Sequence, residues 1–261
     1  MPGFEEDRDY FNPDGTAHKK ATLNGVAPKV ASDVLSFAKV FLYMFMYLAI
    51  TAVVAFGVSY LINHFYQQSV AAGGTGDEVL MPYLYAMIAA IVVLLILGLI
   101  INFVVIRGKR SVLIPSIIYS IVMGGVLSFV VIFVDNWTLI GMAFGITSGV
   151  FLLMGLIALV SKGNFAPLGM LALGLLLGSG ILALTNFFLQ SEMIYWIVSF
   201  AIFAAIMFIT MFDIWNVKKI VTSGAEDKNI SYYCAFVIYL DFIRLFIRIL
   251  YYLAIIFAKR K

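Results

Sequence analysis

Two aspartates and two arginines stand inside apolar stretches of this sequence, where charged side chains are rare. They are Asp213, Asp241, Arg244 and Arg248. A charge at the centre of a membrane-spanning helix costs at least about 2.5–3.5 kcal/mol on insertion scales. These residues are therefore candidates for a functional site, in which each charge needs a partner that offsets it.

Asp241, Arg244 and Arg248 are spaced at i, i+3 and i+7, so a helix carries all three on one face. Two hypotheses remain open. In the first, Asp241 and Arg244 neutralise each other and only anchor their helix. In the second, Asp213 and Asp241 meet across neighbouring helices and titrate as a coupled pair, because two carboxylates in one site cannot easily both ionise. Such a pair acts as a proton-sensitive latch, or as a transient contact for a hard cation that prefers oxygen ligands.

The residues that the sequence lacks exclude several other chemistries. Its two histidines, His18 and His64, are too few for a zinc hydrolase site. No lysine lies inside an apolar stretch, which excludes a retinal-type Schiff base, and no phosphate-binding glycine loop occurs. The lone Cys234 cannot form an intramolecular disulfide. We therefore expect no enzyme and no cofactor. The small net charge of +3 gives no reason to expect a nucleic acid partner.

The composition requires that membrane helices position these charges. Hydrophobic residues make up 63% of the 261 positions and charged residues only 12%, and the mean hydropathy is +1.04. A soluble domain is only about 45–50% apolar. The sequence predicts an all-α, polytopic seven-helix bundle over residues 39–261, after a polar, disordered cytoplasmic tail at 1–38. The predicted spans are 39–65, 82–106, 112–134, 137–161, 166–189, 193–217 and 232–258.

Positive charges alternate between the two ends of the spans and place the N-terminus in the cytoplasm. The loops on the opposite side hold Asp77, Glu78, Asp135 and Glu192, with no Lys or Arg. The C-terminal run 259–261 is an exception, and the alternative is a last segment that re-enters without crossing. We expect a bacterial plasma membrane, with the endoplasmic reticulum as the alternative. The cytoplasmic charges are Arg8, Lys19, Lys20, Lys29, Lys39, Arg107, Lys109, Arg110, Lys162, Lys218, Lys219 and Lys228.

Glycines recur at every fourth position in two of the spans. Gly141, Gly145 and Gly149 lie on one face of the fourth span, and Gly174 and Gly178 on one face of the fifth. Small residues at this spacing let helix backbones approach closely. The pattern therefore predicts helix packing along both faces.

Four segments together resemble the transmembrane Bax inhibitor motif family, over roughly residues 39–258. The most specific is Ile238-Tyr239-Leu240-Asp241-Phe242-Ile243-Arg244-Leu245-Phe246, which resembles the last-helix signature of that family. Met211-Phe212-Asp213, followed by Lys218-Lys219-Ile220, resembles its sixth helix. The weaker elements are Gly125-Val126-Leu127-Ser128 and Leu184-Thr185-Asn186-Phe187-Phe188.

The resemblance implies a seven-helix bundle with the last helix at its centre, and a pH-sensitive calcium leak channel. Eukaryotic members are described as suppressors of cell death. It also implies that Asp213 and Asp241 form the proton-sensing pair, and that Arg107, ending the second span, supports it. Two residues depart from the family pattern: Arg244 stands where Asn is usual, and Asn164 where an acidic residue is common. Both put the pH set point of this chain in question.

Three functions follow as hypotheses. The first is a calcium-permeable cation leak gated by protonation of Asp213 and Asp241, with Arg244 and Arg248 as supporting charges. Its partners are the lipid bilayer and calcium ions. The second is a membrane scaffold that acts through protein partners, which the sequence does not identify. The third is an aspartyl intramembrane protease, a class that usually shows Gly-x-Gly-Asp, whereas Tyr239-Leu240 precedes Asp241 here.

Overall fold

The computed structural model describes residues 19–107, 111–134, 136–161, 163–222 and 228–258; the side chains of 19–36 and 105–107 lie outside this description. The described chain forms seven α-helices and no strand. The predicted all-α class is confirmed, and each predicted span lies within one helix, give or take a terminal residue. The helices are α1 (Lys19–Ala71), α2 (Asp77–Arg107), α3 (Leu113–Val134), α4 (Trp137–Val160), α5 (Ala166–Leu189), α6 (Glu192–Thr222) and α7 (Lys228–Ala258).

Six of the described helices, α1 to α6, are long and apolar enough to cross a membrane. α7 has three charged residues in its middle, which lower its apolar character. Its 31 residues form one unbroken helix, about 46 Å long at 1.5 Å per residue. The hydrocarbon core of a bilayer is about 30 Å thick. A re-entrant segment reverses direction inside the bilayer, which an unbroken helix of this length does not do, so the geometry favours a seventh crossing.

The first helix begins earlier than the sequence predicts. α1 starts at Lys19, whereas the sequence predicts a disordered tail through residue 38. A helix that is already nucleated extends by one hydrogen bond for each residue it fixes, so the apolar span can continue into this polar segment. Residues 1–18 of the expected tail lie outside the described residues, and the division into tail and membrane domain stays a prediction.

α7 lies at the centre of the bundle, as predicted. It contacts α1, α2, α3, α4 and α6, and its buried residues cover more than half of the helix circumference, whereas Arg244 and Ile247 are exposed. α5 is the opposite case: within the described chain it packs only against α6. The buried α7 residues include Cys234, Tyr239, Asp241, Phe242 and Leu245.

The prediction that the spaced glycines pack helices together is wrong within this chain. A Cβ added at any of the five would meet no described atom within 4 Å. The physical reason is rotation: α4 turns Ala143, Thr147 and Phe151 inward, and a position two residues away lies about 200° around the helix. The five glycines are Gly141, Gly145, Gly149, Gly174 and Gly178.

A close backbone approach occurs instead between α1 and α3 at Gly124. A Cβ at this position would lie 2.7 Å from the carbonyl oxygen of Thr51 and 2.7 Å from the Cβ of Val54. Beside this contact, the hydroxyl of Thr51 donates to the carbonyl of Ser120 at 3.1 Å and lies 2.7 Å from the Tyr239 hydroxyl. This group of contacts joins α1, α3 and the central α7.

Candidate functional site

The two oxygens of the buried Asp241 carboxyl group differ in their hydrogen bonding. The residue is 1% exposed and lies near the middle of α7. Its Oδ1 accepts a hydrogen bond from Nη1 of Arg244 at 2.9 Å, one turn further along the helix. Its Oδ2 is also buried, yet no donor among the described residues reaches it. A buried acceptor without a donor is costly. This oxygen therefore needs a partner other than a group that always carries a proton.

Asp213 approaches Asp241 from the neighbouring helix. It is half-buried on α6, and its carboxyl group comes close enough to that of Asp241 for a direct side-chain hydrogen bond. An ionised carboxylate has no proton to donate. A bond between the two groups therefore requires that the pair hold a proton. The contacts that the two hypotheses require are both present: Asp241 pairs with Arg244 and also meets Asp213. Which role the contacts serve stays a prediction.

The side chain of Arg244 is 51% exposed although it lies beside a buried carboxylate. It is eleven residues from Tyr233, so the two side chains share one face of α7. The Tyr233 hydroxyl donates to Oδ1 of Asn102 on α2 at 3.1 Å, while Asp213 belongs to α6. The described backbones of α2 and α6 do not come within 8 Å of each other, measured between Cα atoms. Arg244 therefore lies on the face of α7 that carries the Tyr233 contact to α2, and half of its side chain stays uncovered.

Two tyrosines complete the surroundings of the charges. Tyr119 on α3 lies near enough to Arg244 for an electrostatic interaction, and Tyr233 lies equally within the electrostatic range of Asp213. Sequence reasoning missed Tyr119, Tyr233 and Asn102. The signal for Asn102 was present, because it is a polar residue in the apolar run of the second span. Nothing in the sequence distinguishes the two tyrosines from the others.

Arg107 ends α2, but its side chain lies outside the described residues, so its predicted support of the aspartates stays a prediction. The nearest described polar contact on α2 is the bond between Asn102 and Tyr233. Five residues separate Asn102 from Arg107, about 7.5 Å along a helix. The end of α2 is thus attached to α7 close to the aspartates.

Arg248 lies apart from the aspartates, although it shares the α7 face on which the sequence places it. It follows Asp241 by seven residues, about 10 Å along the axis. Its Nη2 donates to the Ser199 carbonyl at 2.6 Å and to the Ser199 hydroxyl at 3.0 Å. The Tyr252 hydroxyl donates to the same carbonyl at 2.8 Å. Because its long side chain reaches sideways to α6, Arg248 links α7 to the end of α6 remote from Asp213.

The carboxylates do not form a resident metal site. The described residues contain no group of three or more His, Cys, Asp or Glu side chains that could hold a metal ion. Calcium takes six to eight oxygen ligands in protein sites. Asp213 and Asp241 can thus offer a passing cation a contact, but not a closed coordination shell.

An all-helical bundle with six helices long and apolar enough to cross a membrane, and with Asp241 buried in its central helix, defines a polytopic membrane protein. The family model described as "Inhibitor of apoptosis-promoting Bax1" matches residues 33–258. The chain therefore belongs to the Bax inhibitor family, as the last-helix segment around Asp241 predicts. A search of curated proteins finds no match to this chain.

Proposed function

We propose that this protein is a calcium-permeable cation leak pathway, gated by a proton shared between Asp213 and Asp241. One observation carries the proposal: the Asp241 carboxyl group is buried with its Oδ2 lacking a donor among the described side chains, and the carboxyl group of Asp213 comes within hydrogen-bonding reach of it. A hydrogen bond between a carboxylic acid and a carboxylate is short and strong. It ties α6 to the central α7.

The hydrogen bond between the two carboxyl groups depends on a proton, and the pH of the solvent controls whether that proton is bound. Two ionised carboxylates repel each other, by about 4 kcal/mol at 4 Å and an effective dielectric constant of 20. A free-energy change of about 1.4 kcal/mol alters a conformational equilibrium tenfold. Gain or loss of one proton is therefore enough to switch α6 between two positions against α7, and carboxylate oxygens released from the tie can contact a cation, calcium included, as it passes.

Arg107 has a supporting role in this proposal. As the last residue of α2, it brings a fixed positive charge to the end of the bundle that holds the aspartates. A nearby cation favours ionised carboxylates. Arg107→Ala should therefore shift the pH at which the leak changes without abolishing it.

The test is calcium flux from proteoliposomes of controlled orientation and lipid composition, measured over a range of pH. Asp213→Asn and Asp241→Asn should each flatten the pH dependence, because either change removes the shared proton. The double variant should add little, since the two groups act as one unit. Asp77→Asn is the matched control: Asp77 is exposed at the start of α2, so this variant should keep the wild-type profile.

A membrane scaffold acting through protein partners is the second candidate. The observation that favours it is the open glycine face of α4, which contacts nothing in the described chain and has the spacing that joins membrane helices. Wild-type protein that leaks no calcium at any pH would decide for the scaffold. Flux indifferent to both aspartate changes would leave the leak intact but reject its gating by this pair.

An aspartyl intramembrane protease also uses two neighbouring aspartates, and it remains the third candidate. Its carboxyl groups must reach a substrate peptide and a water molecule. Asp241 is 1% exposed and bonded to Arg244, which speaks against this role. Cleavage of a labelled helical substrate by the purified protein, lost in Asp241→Asn, would favour it over the leak.

We place the protein in a bacterial plasma membrane, with the endoplasmic reticulum as the alternative and the N-terminus in the cytoplasm. The short loops, and the small number of residues outside the spans, support the bacterial plasma membrane. The alternation of Lys and Arg supports the orientation.

A further inference from the structure

We propose that Arg244 acts as a tethered cation at the aspartate pair, and that it makes the site select monovalent cations over calcium. This inference rests on the proposed leak and concerns which ions pass through it. The geometry that carries it is the 2.9 Å bond from Nη1 of Arg244 to Oδ1 of Asp241, together with the buried Oδ2 that lacks a described donor.

The net charge of the site reaches zero when it gains one positive charge, but not when it gains two. With both aspartates ionised, Arg244 leaves the described site with a net charge of minus one. Tyr119 and Tyr233 face the same charges, but a phenol is neutral in the physiological range. One proton or one alkali cation therefore brings the site to zero. A calcium ion overshoots to plus one, and an uncompensated charge is costly in a low-dielectric interior.

Arg244 also takes up a coordination position. Calcium bound through Oδ1 would have to displace the guanidinium or lie against it, because that oxygen is already bonded at 2.9 Å. Repulsion by the guanidinium is twice as strong for a divalent as for a monovalent ion at the same distance. What remains is Oδ2 and the carboxyl group of Asp213, too few oxygens for calcium, which takes six to eight.

Arg244 is only partly covered by the protein. Half of its side chain is exposed, on the face of α7 that also carries Tyr233 and its bond to α2. A residue buried on all sides would only hold Asp241 in place. On the proposed leak, an exposed guanidinium beside a buried carboxylate can exchange with a cation that arrives along this face.

The test measures calcium permeability relative to potassium permeability in proteoliposomes. Arg244→Asn should raise this ratio on the order of tenfold, because a close positive charge is lost and an amide oxygen is gained. Arg244→Lys keeps the charge and should stay near the wild-type ratio. Lys228→Asn is the matched control: it removes one positive charge from the exposed start of the same helix, and should change nothing.

Two outcomes separate the two proposals. If cations pass but Arg244→Asn has the wild-type ratio, the selectivity role of Arg244 is wrong and the leak stands. If the wild type passes neither cation, the leak itself is wrong. Calorimetric titration of the detergent-purified protein with calcium then judges Arg244 without any flux, because unchanged binding in Arg244→Asn overturns its role. Arg244→Gln replaces Arg244→Asn in both measurements if the latter is not monodisperse.

Discussion

At the scale of single residues, a few buried hydroxyl groups join helices that are distant in sequence. Thr51 is 2% exposed, and its hydroxyl contacts both the Ser120 carbonyl on α3 and the Tyr239 hydroxyl on α7. Most other buried hydroxyls, such as those of Ser120 and Thr147, bond a carbonyl in their own helix. Thr51 therefore contributes to tertiary structure in a way that these residues do not.

Replacing this hydroxyl should lower stability. Thr51→Val keeps the shape of the side chain but removes the donor to Ser120 and a partner of Tyr239. Hydrogen bonds between membrane helices average about 0.6 kcal/mol and reach about 1.7 kcal/mol, and we expect a loss in this range. The measurement is unfolding in mixed micelles with increasing denaturing detergent.

The control for this prediction is Thr185→Val. Thr185 is exposed, and its hydroxyl bonds only Ile181 in its own helix. It should leave stability unchanged within about 0.5 kcal/mol. Equal losses for Thr51→Val and Thr185→Val would mean that the inter-helix bonds of Thr51 contribute nothing.

The charged residues of the candidate site could be found from the sequence, and the contacts of Asp241 with Arg244 and Asp213 could be put forward as hypotheses, but the contact of Arg248 could not. Asp213, Asp241 and Arg244 stand out because a charge in an apolar stretch is costly. The same reasoning groups Arg248 with them, although its side chain bonds Ser199 on α6. Which neighbour a long side chain reaches depends on the rotation and offset of two helices. Spacing along one helix does not contain that information.

At the scale of helices, the pair α6 and α7 is joined at two levels by different chemistry. One level is the contact between Asp213 and Asp241, which depends on a proton. The other is the bond from Arg248 to Ser199, and an arginine stays charged at every physiological pH. On the proposed gating, α6 is thus fixed towards one end and released towards the other. α5 should move with it, because among the described helices α6 is its only contact.

Neighbouring glycines in α3 give a prediction about packing. At Gly124 a methyl group would lie 2.7 Å from backbone and Cβ atoms of α1, so the two helices must separate. Gly124→Ala should cost about 1–3 kcal/mol, the usual cost of overpacking. At Gly125 no described atom lies within 4 Å of the added group. Gly125→Ala should be neutral, or stabilising by up to about 1 kcal/mol, through helix propensity.

Thermal inactivation of both variants in detergent is the measurement. Because the positions are adjacent and the substitution is the same, membrane depth and side-chain polarity cancel in the comparison. A Gly124→Ala variant as stable as Gly125→Ala would show that α1 and α3 do not approach as closely as the structure has them.

Helix positions along the chain were predictable because a bilayer sets the length of an apolar span, about 20 residues. The rotation of each helix about its axis was not. Gly141, Gly145 and Gly149 are as regular as any packing motif, yet the inward face of α4 carries Ala143 and Thr147. A small-residue stripe marks a face that can pack closely, without saying whether a neighbour in the same chain does so.

At the scale of the whole molecule, the structure places together two helix ends, those of α4 and α6, that the pattern of Lys and Arg assigns to the same side. Lys218 near the end of α6 donates to the carbonyls of Leu159 and Ser161 at the end of α4, the second at 3.0 Å. The ends of α4 and α6 therefore lie on one side of the bundle. The positive-inside rule assigns that side to the cytoplasm.

Labelling from one side of the membrane checks this topology. Glu192→Cys should react with an impermeant maleimide only from the non-cytoplasmic side, and Lys228→Cys only from the cytoplasmic side. The single native cysteine, Cys234, is 2% exposed and should add little background. Labelling of both positions from the same side would contradict the seven-crossing arrangement.

The central place of α7 also constrains how the protein is made. A ribosome releases residues 228–258 only after the other six helices, so the nascent chain enters the bilayer without the helix that five of those six contact. Until then Asp213, Ser199 and Thr51 lack the partners that α7 supplies. Polar groups left unpaired in lipid are costly, so the incomplete chain is less stable than the finished bundle. Translation that stops before α7 leaves six inserted helices without the central helix that pairs these groups.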